Sequence, residues 1–253
     1  MNWLAGVLDW FRDPAHWQGD QGVPARLVEH VGLSAAAVGI ACAVALPVAL
    51  WLGHVGRGGA LAVNVSNVGR AVPTYAVLVL LGLAPSPFGL NTLSTLTALV
   101  LFALPPVLTN TYVGMREVDQ ATVEAARGMG MSGWQVLRGV ELPLAVPLLM
   151  NGVRLAAVQV VATATIAALV AGPGLGNIIT QGFGRQDQPQ LLAGAICVLL
   201  LALLVDGLMA LLQTVADPVG RARRRDGRRR RIDAGDVTDG GLVPAAPDLP
   251  RSG

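Results

Sequence analysis

Five long apolar stretches constrain this chain more than anything else in it. They are Val31–Leu52, Leu61–Leu83, Leu93–Val113, Leu144–Val170 and Leu191–Leu212. A helix needs ~20 mostly apolar residues to cross ~30 Å of hydrocarbon. Each stretch meets that length. Apolar residues make up 53% of the chain and charged residues 13%, roughly half the charge of an average soluble protein. A soluble domain of this size could not hide so much apolar surface. The expectation is an all-α integral membrane protein with about five transmembrane helices. The second stretch is the weakest, because it holds Asn64, Asn67 and Arg70. The first lies after 30 polar and mixed residues and is too long for a signal peptide.

All 18 basic residues are arginine, so the chain has no lysine. A phosphate-binding loop of the GxxxxGK[ST] kind needs one. That ATP site therefore cannot lie on this chain. Cys42 and Cys197 sit in separate apolar stretches and read as small buried side chains. His16, His30 and His54 are scattered, with no second ligand at metal spacing, and are assigned no catalytic or metal role. No catalytic residue is expected.

Arginine placement sets orientation. Arg57 follows the first stretch, Arg116, Arg127 and Arg138 lie between the third and fourth, and eight arginines lie between Arg221 and Arg231. The alternate loops hold only Arg185, beside Asp187. The positive-inside rule then puts the C-terminus in the cytoplasm and the N-terminus outside. Residues 1–25 carry Trp3, Trp10 and Trp17 and read as an outer interfacial leader. Residues 26–213 form the membrane domain. Residues 214–253 read as a disordered Arg-rich cytoplasmic tail, attracted to anionic lipid rather than to nucleic acid.

The longest cytoplasmic loop, residues 119–143, has helix signals of its own. Asp119 can cap a helix over Gln120–Arg127 in which Val123 and Ala126 share a face. Gly128 and Gly130 can end it. Ser132 and Gln135 have capping-box spacing for a second short helix. Leu142-Pro143 then opens the next membrane stretch, with proline where a first turn tolerates it. Helices this short are marginal alone and need a surface to dock on. That surface is either the chain's own membrane helices or a groove in a partner.

Glu124-Ala125-Ala126, three residues, Gly130, nine residues, Val140, one residue and Leu142-Pro143 together resemble the EAA loop of type I ABC importer permeases. Val140 stands where that pattern has isoleucine. The resemblance runs from about Arg26 to Gln213. It is closest to osmoprotectant permeases for glycine betaine, carnitine or choline. Asn110-Thr111-Tyr112, Gly128-Met129-Gly130-Met131, Glu141 to Pro147, Thr163-Ala164-Thr165 and Gly174-Leu175-Gly176 carry that choice, with Pro173 where glycine is expected. The resemblance implies a transport subunit that is not itself an enzyme. It implies a cytoplasmic ABC ATPase dimer that binds ATP and magnesium, a second permease subunit, and an extracytoplasmic substrate-binding protein. It also assigns Glu124, Ala125, Ala126 and Gly130 to the ATPase contact. A permease for another small solute such as an amino acid is the alternative within the family. An ion-coupled secondary transporter is the rival class, but no repeated span pair supports it.

Charges inside membrane stretches are costly and usually face protein or water. Arg70, Arg154 and Asp206 are the three here. At 1.5 Å per residue they lie ~14, ~15 and ~9 Å from the cytoplasmic ends of their stretches. Asp206 is expected to pair with Arg154 or Arg70. Tyr75, Asn110, Tyr112, Asn151, Gln159 and Thr163 are the candidate substrate path, with ordinary interhelical hydrogen bonding as the competing role. Aromatic residues are only 4% of the chain, too few for a full cage around a quaternary ammonium.

Overall fold

The computed structural model describes residues 3–60, 64, 69 and 71–217. Nine α-helices run in order among the described residues. They are α1 (Trp3–Arg12), α2 (Val23–Val55), α3 (Thr74–Leu83), α4 (Thr92–Arg116), α5 (Gln120–Gly128), α6 (Gly133–Val136), α7 (Leu142–Ala167), α8 (Gly176–Arg185) and α9 (Gln188–Ala216). No strand occurs among the described residues. Four helical stretches are long and apolar enough to cross a membrane: α2, α4, Gly133–Val170 taken as one, and α9.

The expected second span differs. Its continuous helix is broken at Val72 and Pro73, and only the ten-residue α3 follows. Proline lacks the N–H that a helix interior needs, and it pushes the preceding residue towards extended backbone. Arg70 and residues 61–63 and 65–68 of that stretch lie outside the described residues, as do residues 218–253 of the Arg-rich tail.

The core is a three-helix contact of α2, α4 and α7 built on small residues. Ala37, Ala41, Ala45 and Ala49 recur every fourth residue along α2, and Gly53 extends the row. These alanines are buried against Leu99, Ala103 and Val107 of α4 and Val160 of α7. Side chains four apart share one helix face, so the row is a smooth stripe that lets backbones approach closely. At Gly53 a Cβ would stand 2.5 Å from the Met115 Cβ. At Gly152 of α7 it would stand 2.7 Å from the Asn110 Cβ. Pro47 interrupts α2 from within, and Pro105 and Pro106 interrupt α4.

α9 packs on this core along one narrow side. Leu199, Leu200, Leu203, Leu204 and Leu211 remain exposed, as suits a lipid-facing helix. The leader helix α1 packs against α9. Trp10 is buried with Val23, Val161, Leu175, Ile178 and Ala193, and its ring stacks on His16 at 4.1 Å. Trp17 stays exposed, and its indole N–H donates to the Phe11 carbonyl at 2.8 Å.

Candidate coupling loop and intramembrane site

The loop between α4 and α7 is held together by local chemistry first. The Asp119 carboxylate accepts from the Ala121 N–H at 3.1 Å and caps α5. Ser132 and Gln135 form both halves of a capping box at the start of α6. Gly130 adopts φ +87°, a left-handed conformation that costs glycine least, and so turns the chain between the two helices. Val118, Val123, Ala126 and Val136 then bury one another, with Met131 and Val140 packed alongside.

This packing sorts the loop residues into two sets. Ala126 turns inward and is 3% exposed, so it supports the loop from beneath rather than presenting a surface. Glu124, Ala125 and Gly130 are exposed, as are Met129 and Trp134. The loop thus presents an acidic and small-residue face on α5 beside two large apolar side chains.

The second short helix is not separate from the membrane. α6 passes into a π-helix over Leu137–Glu141, and α7 begins directly at Leu142. The Leu142 N–H bonds the Leu137 carbonyl, five residues back. Pro143, the second residue of α7, has no N–H to give, and it follows directly on the π turn. Val140 and Leu142 are half-buried. Sequence reasoning saw Leu142-Pro143 as the opening of a new segment. The wider π turn lets the helix continue through it.

The π-helix ends on a contact that the sequence did not reveal. His54 in the last turn of α2 donates from Nδ1 to the Glu141 carboxylate at 2.5 Å, and Glu141 is buried. The opposite end of α2 also makes long-range contacts. His30 is fully buried. Its Nε2 lies 3.0 Å from the Val161 carbonyl, and its Nδ1 lies 3.3 Å from the Leu175 N–H. A carbonyl only accepts and an amide N–H only donates, so the ring is neutral with its proton on Nε2. Glu29 beside it accepts from the Gly174 N–H at 3.0 Å and from Arg26 at 2.8 Å. Gly174 has φ +112°, and a Cβ there would stand 2.9 Å from His30 Nδ1. Pro173 precedes this glycine and is partly buried. Both histidines were assigned no catalytic or metal role, and both prove to hold other segments in place.

Within the membrane helices, Arg154 of α7 and Asp206 of α9 meet. Arg154 donates from Nε and from a terminal nitrogen to the two carboxylate oxygens at 2.6 and 2.7 Å. This is the two-pronged geometry in which guanidinium and carboxylate satisfy each other best. Arg70 lies outside the described residues.

The candidate path residues are only partly brought together. Asn151 donates to Asn110 at 3.3 Å, and Asn110 also bonds the Pro106 carbonyl at 2.8 Å. Tyr112 packs against the core of α2, α4 and α7, and its hydroxyl would lie 3.0 Å from a Cβ on Gly59. Tyr75 is exposed on α3 and Gln159 on α7, while Thr163 is buried. None of these three bonds the asparagine pair. The described residues include no group of three or more His, Cys, Asp or Glu side chains arranged for a metal ion.

Comparison with known proteins agrees with this architecture. The family of binding-protein-dependent transport system inner membrane components matches residues 39–214. The carnitine transport permease protein OpuCB of Listeria monocytogenes is 36% identical over 79% of this chain and 90% of its own length. The glycine betaine/carnitine/choline transport system permease protein OpuCB of Bacillus subtilis is 31% identical over 76% of this chain and 87% of its own. The osmoprotectant import permease protein OsmW of Salmonella typhimurium is 34% identical over 82% and 99%. Among solved structures, the inward-facing MetNI methionine ABC transporter aligns with a TM-score of 0.66 at 20% identity, over 77% of this chain and 96% of that one. That likeness concerns the fold alone. With its apolar helices, its EAA-type loop and these full-length relatives, the chain belongs to the family of binding-protein-dependent transport system inner membrane components.

Proposed function

We propose that this chain is the membrane-spanning permease subunit of an ATP-binding cassette importer for small osmoprotectants, with glycine betaine, carnitine and choline as its solute class. The observation that carries the mechanism is the two-sided build of α5. Val123 and Ala126 are buried in the loop's own cluster, which leaves Glu124 and Ala125 exposed on a braced helix. A short helix held from beneath is suited to seat in a groove of a partner ATPase. The partner binds ATP and magnesium. Its closure moves the loop, and the π-helix carries that motion into α7. This chain makes and breaks no covalent bond; it supplies a path and a gate. The loop rich in arginine faces the cytoplasm, and the end carrying Gly174 faces outward. A binding protein delivers solute at that outer end, and a second permease subunit completes the pore. The named relatives support the solute class, since each aligns over most of its length.

The test is reconstitution of this subunit with its ATPase and binding protein in liposomes. ATP-dependent uptake of glycine betaine, carnitine or choline is expected. Glu124→Arg should abolish that uptake and copurification with the ATPase, and leave the permease folded. Full uptake without any ATPase would overturn the reading.

A further inference from the structure

The cluster that closes the coupling loop contains no residue of α2. Val118, Val123, Ala126 and Val136 tie α5 to α6 and to the end of α4. α7 follows the loop covalently through the π-helix. α2 has no covalent connection there, yet His54 reaches across 87 residues of sequence to Glu141. The same imidazole lies close to the start of α6, where a Cβ on Gly133 would be 3.5 Å from Nε2. One side chain of α2 therefore bonds one end of Gly133–Glu141, the stretch that leads from the docking helix into the membrane, and lies close to the other. That stretch ends in a π turn, a form of helix that recurs at functional sites. Glu141 is 6% exposed, and a carboxylate so buried is costly to leave without its partner.

We propose that His54 and Glu141 are positioning residues of the coupling loop, and that their contact makes the cytoplasmic end of α2 move together with the docking helices. The displacement driven by nucleotide then reaches all three core helices, α2 as well as the two that the loop joins covalently, α4 and α7. This inference rests on the importer reading above, and its test separates the two.

The readout is solute imported per ATP hydrolysed, with glycine betaine as probe, in liposomes containing the permease, its ATPase and its binding protein. His54→Leu and Glu141→Ala should each lower that ratio by about fivefold or more, the scale of an ordinary coupling energy, with hydrolysis retained. The double variant should fall no lower than the worse single one. His54→Asn keeps a donor near Nδ1 and Glu141→Gln keeps an acceptor, so each should stay within about twofold of the parent. A purely structural role would lower uptake and hydrolysis together and leave the ratio unchanged. Should His54→Leu fail to assemble, His54→Ser removes the reach without adding an apolar group and carries the same expectation. A parental ratio in His54→Leu or His54→Ser, or a loss in His54→Asn as deep as in His54→Leu, would overturn the proposal. No ATP-dependent uptake by the parent complex would instead overturn the importer reading, and this inference with it.

Discussion

α2 carries a histidine near each end, and the two are built differently. His30 and His54 are 24 residues apart in sequence, ~36 Å along a helix at 1.5 Å per residue. His30 is fully buried and bonds only main-chain groups, the Val161 carbonyl and the Leu175 N–H. His54 is partly exposed and bonds a side chain, the Glu141 carboxylate. Buried main-chain groups have no alternative partner, so the His30 end is fixed by the cost of stranding them. A bond between two side chains can swing about their own torsions without parting, so the His54 end is held but not fixed in direction. The end assigned to the outside is thus fastened, and the end assigned to the ATPase is jointed.

Substitutions can break or sharpen that contrast. The largest effect is expected from Gly176→Val in the fastened region. A Cβ at Gly176 would stand 2.3 Å from the Thr165 carbonyl oxygen, a contact that only backbone movement can relieve. The purified variant should not give a monodisperse folded peak in detergent. Next, His30→Leu should destabilise by about 1–3 kcal/mol, because it strands the buried Leu175 N–H. A lowered melting temperature would show this, whereas His54→Asn, which keeps a donor for the buried Glu141 carboxylate, should melt closer to the parent. Equal losses at the two histidines would remove the distinction between fastened and jointed ends. The Arg154 and Asp206 pair offers an internal control away from both ends. Arg154→Leu combined with Asp206→Asn should lose no more folded protein than Arg154→Leu alone, and additive losses would mean that the two-pronged contact carries no stability. The smallest effect belongs to Asp119→Ala. Loss of that cap should cost about 0.5–2 kcal/mol locally, seen as faster amide exchange in α5 with the global melt unchanged.

The features legible in the sequence are those whose cause is local. Apolar length located the four long helices, since ~20 apolar residues leave few alternatives. Asp119, Ser132, Gln135 and Gly130 announced the loop's caps and turn, because their partners lie within three residues or within the backbone itself. The α8 helix was missed: its sequence GNIITQGFGR is short, polar and glycine-rich. The inward turn of Ala126 was half legible, as Val123 and Ala126 were placed on one face, but the side facing the partner was set by the resemblance. His30 and His54 were not legible at all. Their partners lie 131, 145 and 87 residues away, and no pattern within a helix announces a contact across that distance. The break at Pro73 is the converse case, a local signal outweighed by the apolarity around it.

Pro47 lies between the two histidines of α2, seven residues before His54 and 17 after His30. Its ring removes the bond that a residue at 47 would make to the Ala43 carbonyl. The helix therefore has a short arm of ~10 Å on the His54 side and a long arm of ~26 Å on the His30 side. A hinge there would let the short arm, seated on α4 through Ala49 and Gly53, shift with that helix while the long arm keeps Ala37, Ala41 and Ala45 in place. Pro47→Ala would restore the missing bond and turn the helix into one stiff member, so that a push at His54 would have to pull on Gly174 or stop.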